Sequence, residues 1–261
     1  MKRVVIISDL HCGHLFGLTP PEYWFGQDEG GGLRKVKKFQ REMWNFYVSQ
    51  MKKLQPIDLL IVNGDAVEGK GERSGSIELV SADRHEQVRM AKICIEEVRP
   101  KAVRVLCGTP YHTGIDEQFE RSLCDVLDIE DKKFDIHGFY QIEGWKFDVK
   151  HKVTSSYVPH GRMTGIARAR LWNAVWHVEG ERQPLADIVI RSHVHYFSYA
   201  GWGSWLGITT PALSYNSIYG KRDCEGLVDV GFIYFDLAKE DYEWRPILAK
   251  FKELKVRPEC V

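Results

Sequence analysis

No CxxC pair occurs in this sequence, and its six cysteines (positions 12, 94, 107, 124, 224 and 260) are scattered over 261 residues. That spacing argues against a disulfide-rich scaffold and fits a reducing cytoplasm, the compartment we expect. Long apolar runs are also missing. No stretch approaches the ~20 residues of a membrane span, and two basic residues lead straight into a short Val/Ile run with no signal-peptide core. The expectation is a soluble, unexported protein with no membrane partner. Net charge is absent as well: 36 basic residues balance 36 acidic ones, so no global field draws the chain to nucleic acid, although local patches remain open. Internal repeats, low-complexity tracts and Pro/Ser-rich linkers do not occur. With 44 % hydrophobic residues the chain can bury a sizeable core, and a single enzyme-sized domain over residues 1–261 is expected.

What is present is an alternation of short Val/Ile-rich runs with longer amphipathic segments, the pattern of βαβ units. "KRVVIISD", "IDLLIVNGD" and "KAVRVLCG" read as strands. Between them, "LRKVKKFQREMWNFYVSQMKKL" sets Val36, Phe39, Met43, Phe46, Tyr47 and Met51 at helical spacing, and "ELVSADRHEQVRMAKICIEEV" does the same with Val88, Ile93 and Ile95. After about residue 133 the texture becomes alternating, with Gly144 at an expected hairpin turn in "FDIHGFYQIEGWKFDVKHKV". One more helix is expected in "GRMTGIARARLWNAVWHV", and "ADIVIRSHVH", "LGITTPALSY", "LVDVGFIYFDL" and "YEWRPILAKF" read as strands. Residues 15 to 32, "LFGLTPPEYWFGQDEGGG", form an inserted loop too long and too rich in Gly, Pro and aromatics for a plain connector.

The unusual polar residues fall at strand ends, where open α/β sheets bind ligands. Asp9 and His11 follow the first strand, Asn63 and Asp65 the second, and Thr109 and His112 the third; His151 ends "WKFDVKH", and His193 and His195 end "ADIVIRSHVH". A single Asp-x-His or His-x-His fragment is commonly a capping or hydrogen-bonding pair. Five strand ends delivering carboxylates and imidazoles to one rim are different, because burying them together without a cation costs several kcal/mol per unpaired charge. A shared metal explains them better. Mixed imidazole and carboxylate donors suit Mn²⁺, Fe²⁺, Zn²⁺ or Ni²⁺ rather than Mg²⁺ or Ca²⁺, which prefer oxygen alone.

"SDLH" (8–11), "NGD" (63–65), a Gly-led loop ending in histidine (108–112), an isolated histidine (151) and "SHVH" (192–195) together resemble the calcineurin-like metallophosphoesterase family, whose pattern runs D-x-H, G-D, G-N-H-D/E, H and G-H-x-H in that order. The resemblance covers roughly residues 3 to 235. It implies an α/β fold, a four-layer α/β/β/α sandwich with mixed sheets, and a centre of two divalent transition-metal ions, manganese first among the candidates. Asp9, His11 and His195 would hold one ion, His151 and His193 the other, and Asp65 would bridge them. The implied activity is hydrolysis of a phosphoric ester by attack of a metal-bound hydroxide, with no covalent intermediate.

The third motif departs from the family. "CGTPYHTG" lacks the asparagine ligand, and its histidine lies two residues late. Thr109, in the asparagine's place, either ligates weakly or holds a metal-bound water; alternatively the second site is looser. His112 would be the catalytic histidine that the family sets over the leaving group; otherwise Pro110 and Tyr111 form an ordinary turn and His112 faces solvent. His14 reaches either the substrate or nothing in particular, and Cys12 and Cys107 are taken as core filling. Arg162, Arg168 and Arg170 read as a solvated helix face. Tyr23, Trp24 and Phe25 either stack on bases or pack down as a lid or oligomer contact. Histidines 85, 137, 160 and 177 are treated as structural. A phosphodiester substrate, as single-stranded nucleic acid or nucleotide, is favoured because the first motif extends to D-x-H-x-G-H as in nuclease and phosphodiesterase members. The alternatives are a phosphomonoesterase on the same site and a non-catalytic scaffold of the same fold. The oligomeric state is left open.

Overall fold

The computed structural model describes residues 1–24, 31–72, 75–113, 119–156, 158–215 and 228–251. Phe25 and the rest of loop positions 25–30 lie outside them, as do Cys224 and Cys260. The elements in chain order are β1 (Lys2–Ile7), α1 (Gly31–Lys53), β2 (Leu59–Asn63), α2 (Arg84–Glu97), β3 (Ala102–Leu106), α3 (Pro110–Thr113), α4 (Phe119–Val126), β4 (Asp131–Asp135), β5 (Gly138–Ile142), β6 (Trp145–Val149), α5 (Arg162–Val178), β7 (Ile188–Arg191), β8 (Ser198–Trp202), β9 (Trp205–Thr209), β10 (Gly231–Leu237) and β11 (Tyr242–Leu248).

Two mixed sheets result. The first runs β11-β10-β1-β2-β3-β4 and the second β5-β6-β7-β9-β8. Strands β1 to β4 are mutually parallel, as crossover helices require, while β10 and β11 add antiparallel at one edge. Alternation along β1 sorts the core into layers. Val4 and Ile6 face the second sheet and meet Phe147, Val149, Ile188 and Ile190, whereas Val5 and Ile7 face the helices and meet Phe39, Met43, Tyr47 and Cys94. Among the described residues the second sheet's outer face carries a small cluster under α5, Ile166, Ala186 and Val189, with Ala169 and Ala200 packed against it. The layer order is therefore α/β/β/α, as expected, with an uneven outer cover. Among the described residues no helix is long and apolar enough to cross a membrane.

Several boundaries differ from the sequence expectation. Helix α2 begins at Arg84 rather than near Glu78, because Asp83 caps it by accepting from the His85 N–H. The hairpin turn falls at Glu143 and Gly144, both with positive φ, which matches the twist of two-residue hairpins. Helix α4 and strands β4 and β8 have no counterpart in the sequence reading. In the inserted loop, Trp24 donates its indole N–H to the Thr19 carbonyl at 3.0 Å, and Tyr23 and Trp24 pack against the helix-side core. Those two rings are packed down rather than held free.

Candidate metal centre

The loops after β1 and β2 are zipped together. Asp9 N–H donates to the Gly64 carbonyl (3.1 Å), His11 N–H to Asp65 (3.0 Å), Cys12 N–H to Ala66 (3.0 Å), and Glu68 N–H returns to Cys12 (3.1 Å). A second tie crosses between the sheets: the Thr210 hydroxyl lies 2.7 Å from both the Ser8 and Ser192 hydroxyls, and Asn63 donates its side-chain N–H to Ser192 at 2.6 Å. Residues from both sheets are thus held at one rim before any ligand is considered.

Strain marks the same place. Of the nine described non-glycine residues with positive φ, five are Asp9 (51°), His11 (45°), Asp65 (49°), His193 (73°) and His195 (54°). Each such conformation costs about 1–3 kcal/mol and persists only where surrounding structure enforces it. Two glycines give the space. A Cβ on Gly64 (φ 78°) would fall 2.5 Å from His151 Nδ1, and one on Gly108 would fall 2.2 Å from Asp65 Oδ1.

The side chains converge in three overlapping groups whose donor atoms lie within 4.8 Å of one another: Asp9, His11 and His195; His11, Asp65 and His112; and Asp65, His151 and His193. All seven site residues expected from the sequence are therefore brought together. His195 Nε2 lies 3.1 Å from Asp9 Oδ1 and 3.3 Å from His11 Nε2. His151 Nε2 lies 2.9 Å from Asp65 Oδ2, and His193 Nδ1 and His112 Nε2 stand 4.0 and 3.9 Å from the same oxygen. Asp9, Asp65 and His151 are fully buried, whereas the His193 and His195 side chains are 35 % and 27 % exposed. The centre opens on that side.

Tautomers are fixed from behind. His11 Nδ1–H donates to Glu68 Oε2 at 2.8 Å, His151 Nδ1–H to the Asn63 carbonyl at 2.6 Å, and His112 Nδ1–H to the Glu68 carbonyl at 2.8 Å. Each ring thereby presents Nε2 to the centre, the arrangement found behind ligating imidazoles. Burial alone would raise the Glu68 pKa, but the His11 hydrogen bond and charge hold it below the usual range, so Glu68 is ionised.

Asp9 Oδ1 is buried yet has no aligned hydrogen-bond partner among the described residues. Burial would raise its carboxyl pKa, but His195 and then His151 override this and lower it. Asp65 is likewise lowered well below its normal value, burial being outweighed first by His151. Burial would lower the His151 pKa, but Asp65 and Asp9 carry it up to about 10, and Asp9 raises His195 against the same burial. His11 is pushed down, first by burial and then by His112. The two carboxylates and the imidazoles thus depend on one another for charge balance, with His195 Nε2 facing Asp9 Oδ1 at 3.1 Å. An orphaned carboxylate oxygen, a second buried carboxylate and imidazole nitrogens turned toward one point fit a cationic centre.

Other residues are assigned by their contacts. Thr109 donates its N–H to Asp65 Oδ1 at 2.6 Å, and its hydroxyl lies 3.2 Å from both Asp65 oxygens, so in the place of the absent asparagine it braces the carboxylate. His14 is buried, with Nδ1 accepting from the Phe16 N–H at 3.1 Å and Nε2 3.9 Å from Glu78; it belongs to none of the three groups. Cys12 donates to the Leu18 carbonyl within the core. Arg162 lies over the Tyr196 ring, and the Arg170 Nη1 group bonds Asn173. Two residues were not anticipated. Glu68 orients His11, and Glu120 lies buried behind Asp65 and Gly108 with its carboxyl pushed up to about 8 by burial and by the Asp65 charge. Glu68→Ala should weaken metal affinity by about 10–100-fold while the fold persists, since its principal role is to hold the His11 ring; isothermal titration with Mn²⁺ measures this.

No protein-family model and no curated protein matches the chain. Among solved structures it is similar to Vps29 from Entamoeba histolytica complexed with zinc, at 11 % identity over 95 % of this chain and 99 % of that one, with a TM-score of 0.46. It is similar to an archaeal phosphodiesterase at 12 % identity over 94 % and 100 % of the two chains, with a TM-score of 0.43. A third is Yfce, a phosphoesterase from E. coli, at 12 % identity over 94 % and 98 %, with a TM-score of 0.43.

Proposed function

We propose that the chain is a phosphodiesterase dependent on two divalent transition-metal ions, manganese first among them, acting in the cytoplasm. Asp9, His11 and His195 hold one ion, His151 and His193 the other, and Asp65 serves both. The observation that carries the reading is the buried Asp9 Oδ1, without an aligned hydrogen-bond partner among the described residues although the Nε2 atoms of His195 and His11 lie 3.1 and 3.9 Å away. Ions held there would supply an acidified water and neutralise the phosphoryl oxygens.

The chain's own residues do the rest. Glu68 and the Asn63 carbonyl keep His11 and His151 oriented. Thr109 holds Asp65 through its backbone N–H and hydroxyl. His112, on the short helix that follows β3, has Nδ1–H committed to the Glu68 carbonyl and Nε2 turned to the centre, so Nε2 can carry a proton to a leaving alkoxide. The open side at His193 and His195 admits substrate. The Gly/Pro-rich loop from residue 15 helps to select it.

The test is hydrolysis of an aryl phosphodiester by chelator-stripped protein given Mn²⁺, Fe²⁺, Zn²⁺, Ni²⁺ or Mg²⁺ in turn, with an aryl monoester in parallel. Diester hydrolysis restored by a transition metal is expected. Monoester hydrolysis alone would favour a phosphomonoesterase, and no turnover with any ion would leave a non-catalytic scaffold.

Ion uptake must also displace the proton held by His151. Because the His151 pKa is raised to about 10 and that of His195 is raised as well, His151 holds a proton at neutral pH that an ion must displace, and ions compete better as pH rises. Apparent affinity should climb by about one log unit per pH unit between pH 6 and 9 for the His151 proton, with matching proton release in buffers of different ionisation enthalpy. Affinity independent of pH would remove His151 from the ligand set.

A further inference from the structure

Helix α5 buries little beyond Gly165, Ile166 and Asn173, and its strand contacts are with β7, β8 and β9. Across a gap it faces Asp148 of β6, Arg191 of β7 and the segment after β6. A cavity of about 620 Å³ opens in that gap, within the size range of ligand sites. Its floor is internally neutralised: Arg191 Nη1 lies 2.8 Å from Asp148 Oδ1 and also donates to the carbonyls of Asp148 and Ile190, while His137 Nε2 lies 2.7 Å from the same Asp148 oxygen.

Its walls are not neutralised. Lys150, Lys152 and Arg168 line it and are exposed. Among the described residues Arg168 bonds the Thr154 hydroxyl, at 2.7 Å, and none of the three cations meets a carboxylate. Trp172 and Trp176 stand one helical turn apart on the same wall, 55 % and 38 % exposed. The Arg182 guanidinium lies over the Trp176 ring, 5.5 Å from its centroid, so Trp172 offers the freer face; cations beside part-exposed indoles suit a surface that takes backbone phosphates and stacks unpaired bases.

The cavity's lining also adjoins the metal centre in sequence. Lys150 and Lys152 flank His151 in sequence. Helix α5 begins beside the rim, where the Tyr196 hydroxyl donates to the Arg162 carbonyl at 3.4 Å. It then runs to the opposite end of the sheet, where Asn173 is tied to Pro184 and Ala186.

We propose that the cavity between α5 and the outer face of the second sheet is a binding track for single-stranded nucleic acid, with Lys150, Lys152 and Arg168 taking phosphates and Trp172 and Trp176 taking bases. Arg168 therefore does more than the solvated helix face expected of it. What happens to the strand at the rim rests on the phosphodiesterase reading; the binding itself does not. A duplex is a poorer occupant, because its bases are already stacked and the chain has no net positive charge.

The test is fluorescence anisotropy of a labelled 12-nucleotide oligothymidylate with the full chain in EDTA, so that neither metal nor turnover enters. The paired W172A/W176A variant should lose affinity by about tenfold or more. R168E should weaken binding and lower the salt dependence by about one phosphate contact. Neither should change hydrolysis of a small aryl diester, which does not reach the track. Affinities equal to the parent's, no binding by the parent, or binding to anionic phospholipid vesicles in place of the oligonucleotide would overturn the proposal. Oligonucleotide binding that falls in these variants while no metal restores aryl diester hydrolysis would uphold the track and defeat the phosphodiesterase reading instead.

Discussion

Asp65→Asn should abolish turnover, by more than about 10³-fold in kcat/KM, and should strip metal from both halves of the centre together. The reason is geometric. Asp65 belongs to two of the three donor groups, one with His151 and His193 and one with His11 of the other ion set and His112, and its Oδ2 lies 2.9 Å from His151 Nε2, 4.0 Å from His193 Nδ1 and 3.9 Å from His112 Nε2. An amide of the same shape can still accept the Thr109 N–H, so the fold should survive, but it brings no charge to balance the ions. Metal analysis of the purified variant, beside its circular dichroism, measures both claims. Two retained ions with normal turnover would show that Asp65 does not serve both positions.

His112→Ala should slow hydrolysis of esters with poor leaving groups by about 10²–10⁴-fold, the range of a positioned acid. An aryl ester with a good leaving group needs little proton assistance and should slow much less, while metal content stays unchanged. The opposite pattern is equally readable. His112 Nε2 lies in one donor group with His11 and Asp65, so a ligand role would collapse both rates and remove an ion. Unchanged rates on both substrates would make His112 a bystander held by Glu68.

The parts of the molecule that could be read in advance were those in which a Val/Ile run ends abruptly on Asp or His. β1, β2 and β7 are such runs, and the polar residues after them reach the rim because parallel strands carry their carboxyl ends to the same edge. Strand β4, "DKKFD", carries no strand signal in sequence because it lies at the edge of its sheet with charged residues on it, and β8, "SYAGW", carries none because its side chains are half or fully exposed. The start of α2 was legible in principle: Asp83 followed three residues later by Glu86 is a capping pattern. Glu68 was not, because it matters only once the Cys12 and Glu68 backbones pair and bring it behind His11. The left-handed backbone at Asp9, His11, Asp65, His193 and His195 was equally hidden, since none of these is glycine and the strain is imposed by tertiary contacts.

The most direct test of the account is an anomalous difference map from crystals soaked in Mn²⁺ and recorded at the manganese edge. The account predicts two peaks, one among Asp9, His11 and His195 and one among His151, His193 and Asp65. A map with no peak inside the ring of these six residues would contradict it.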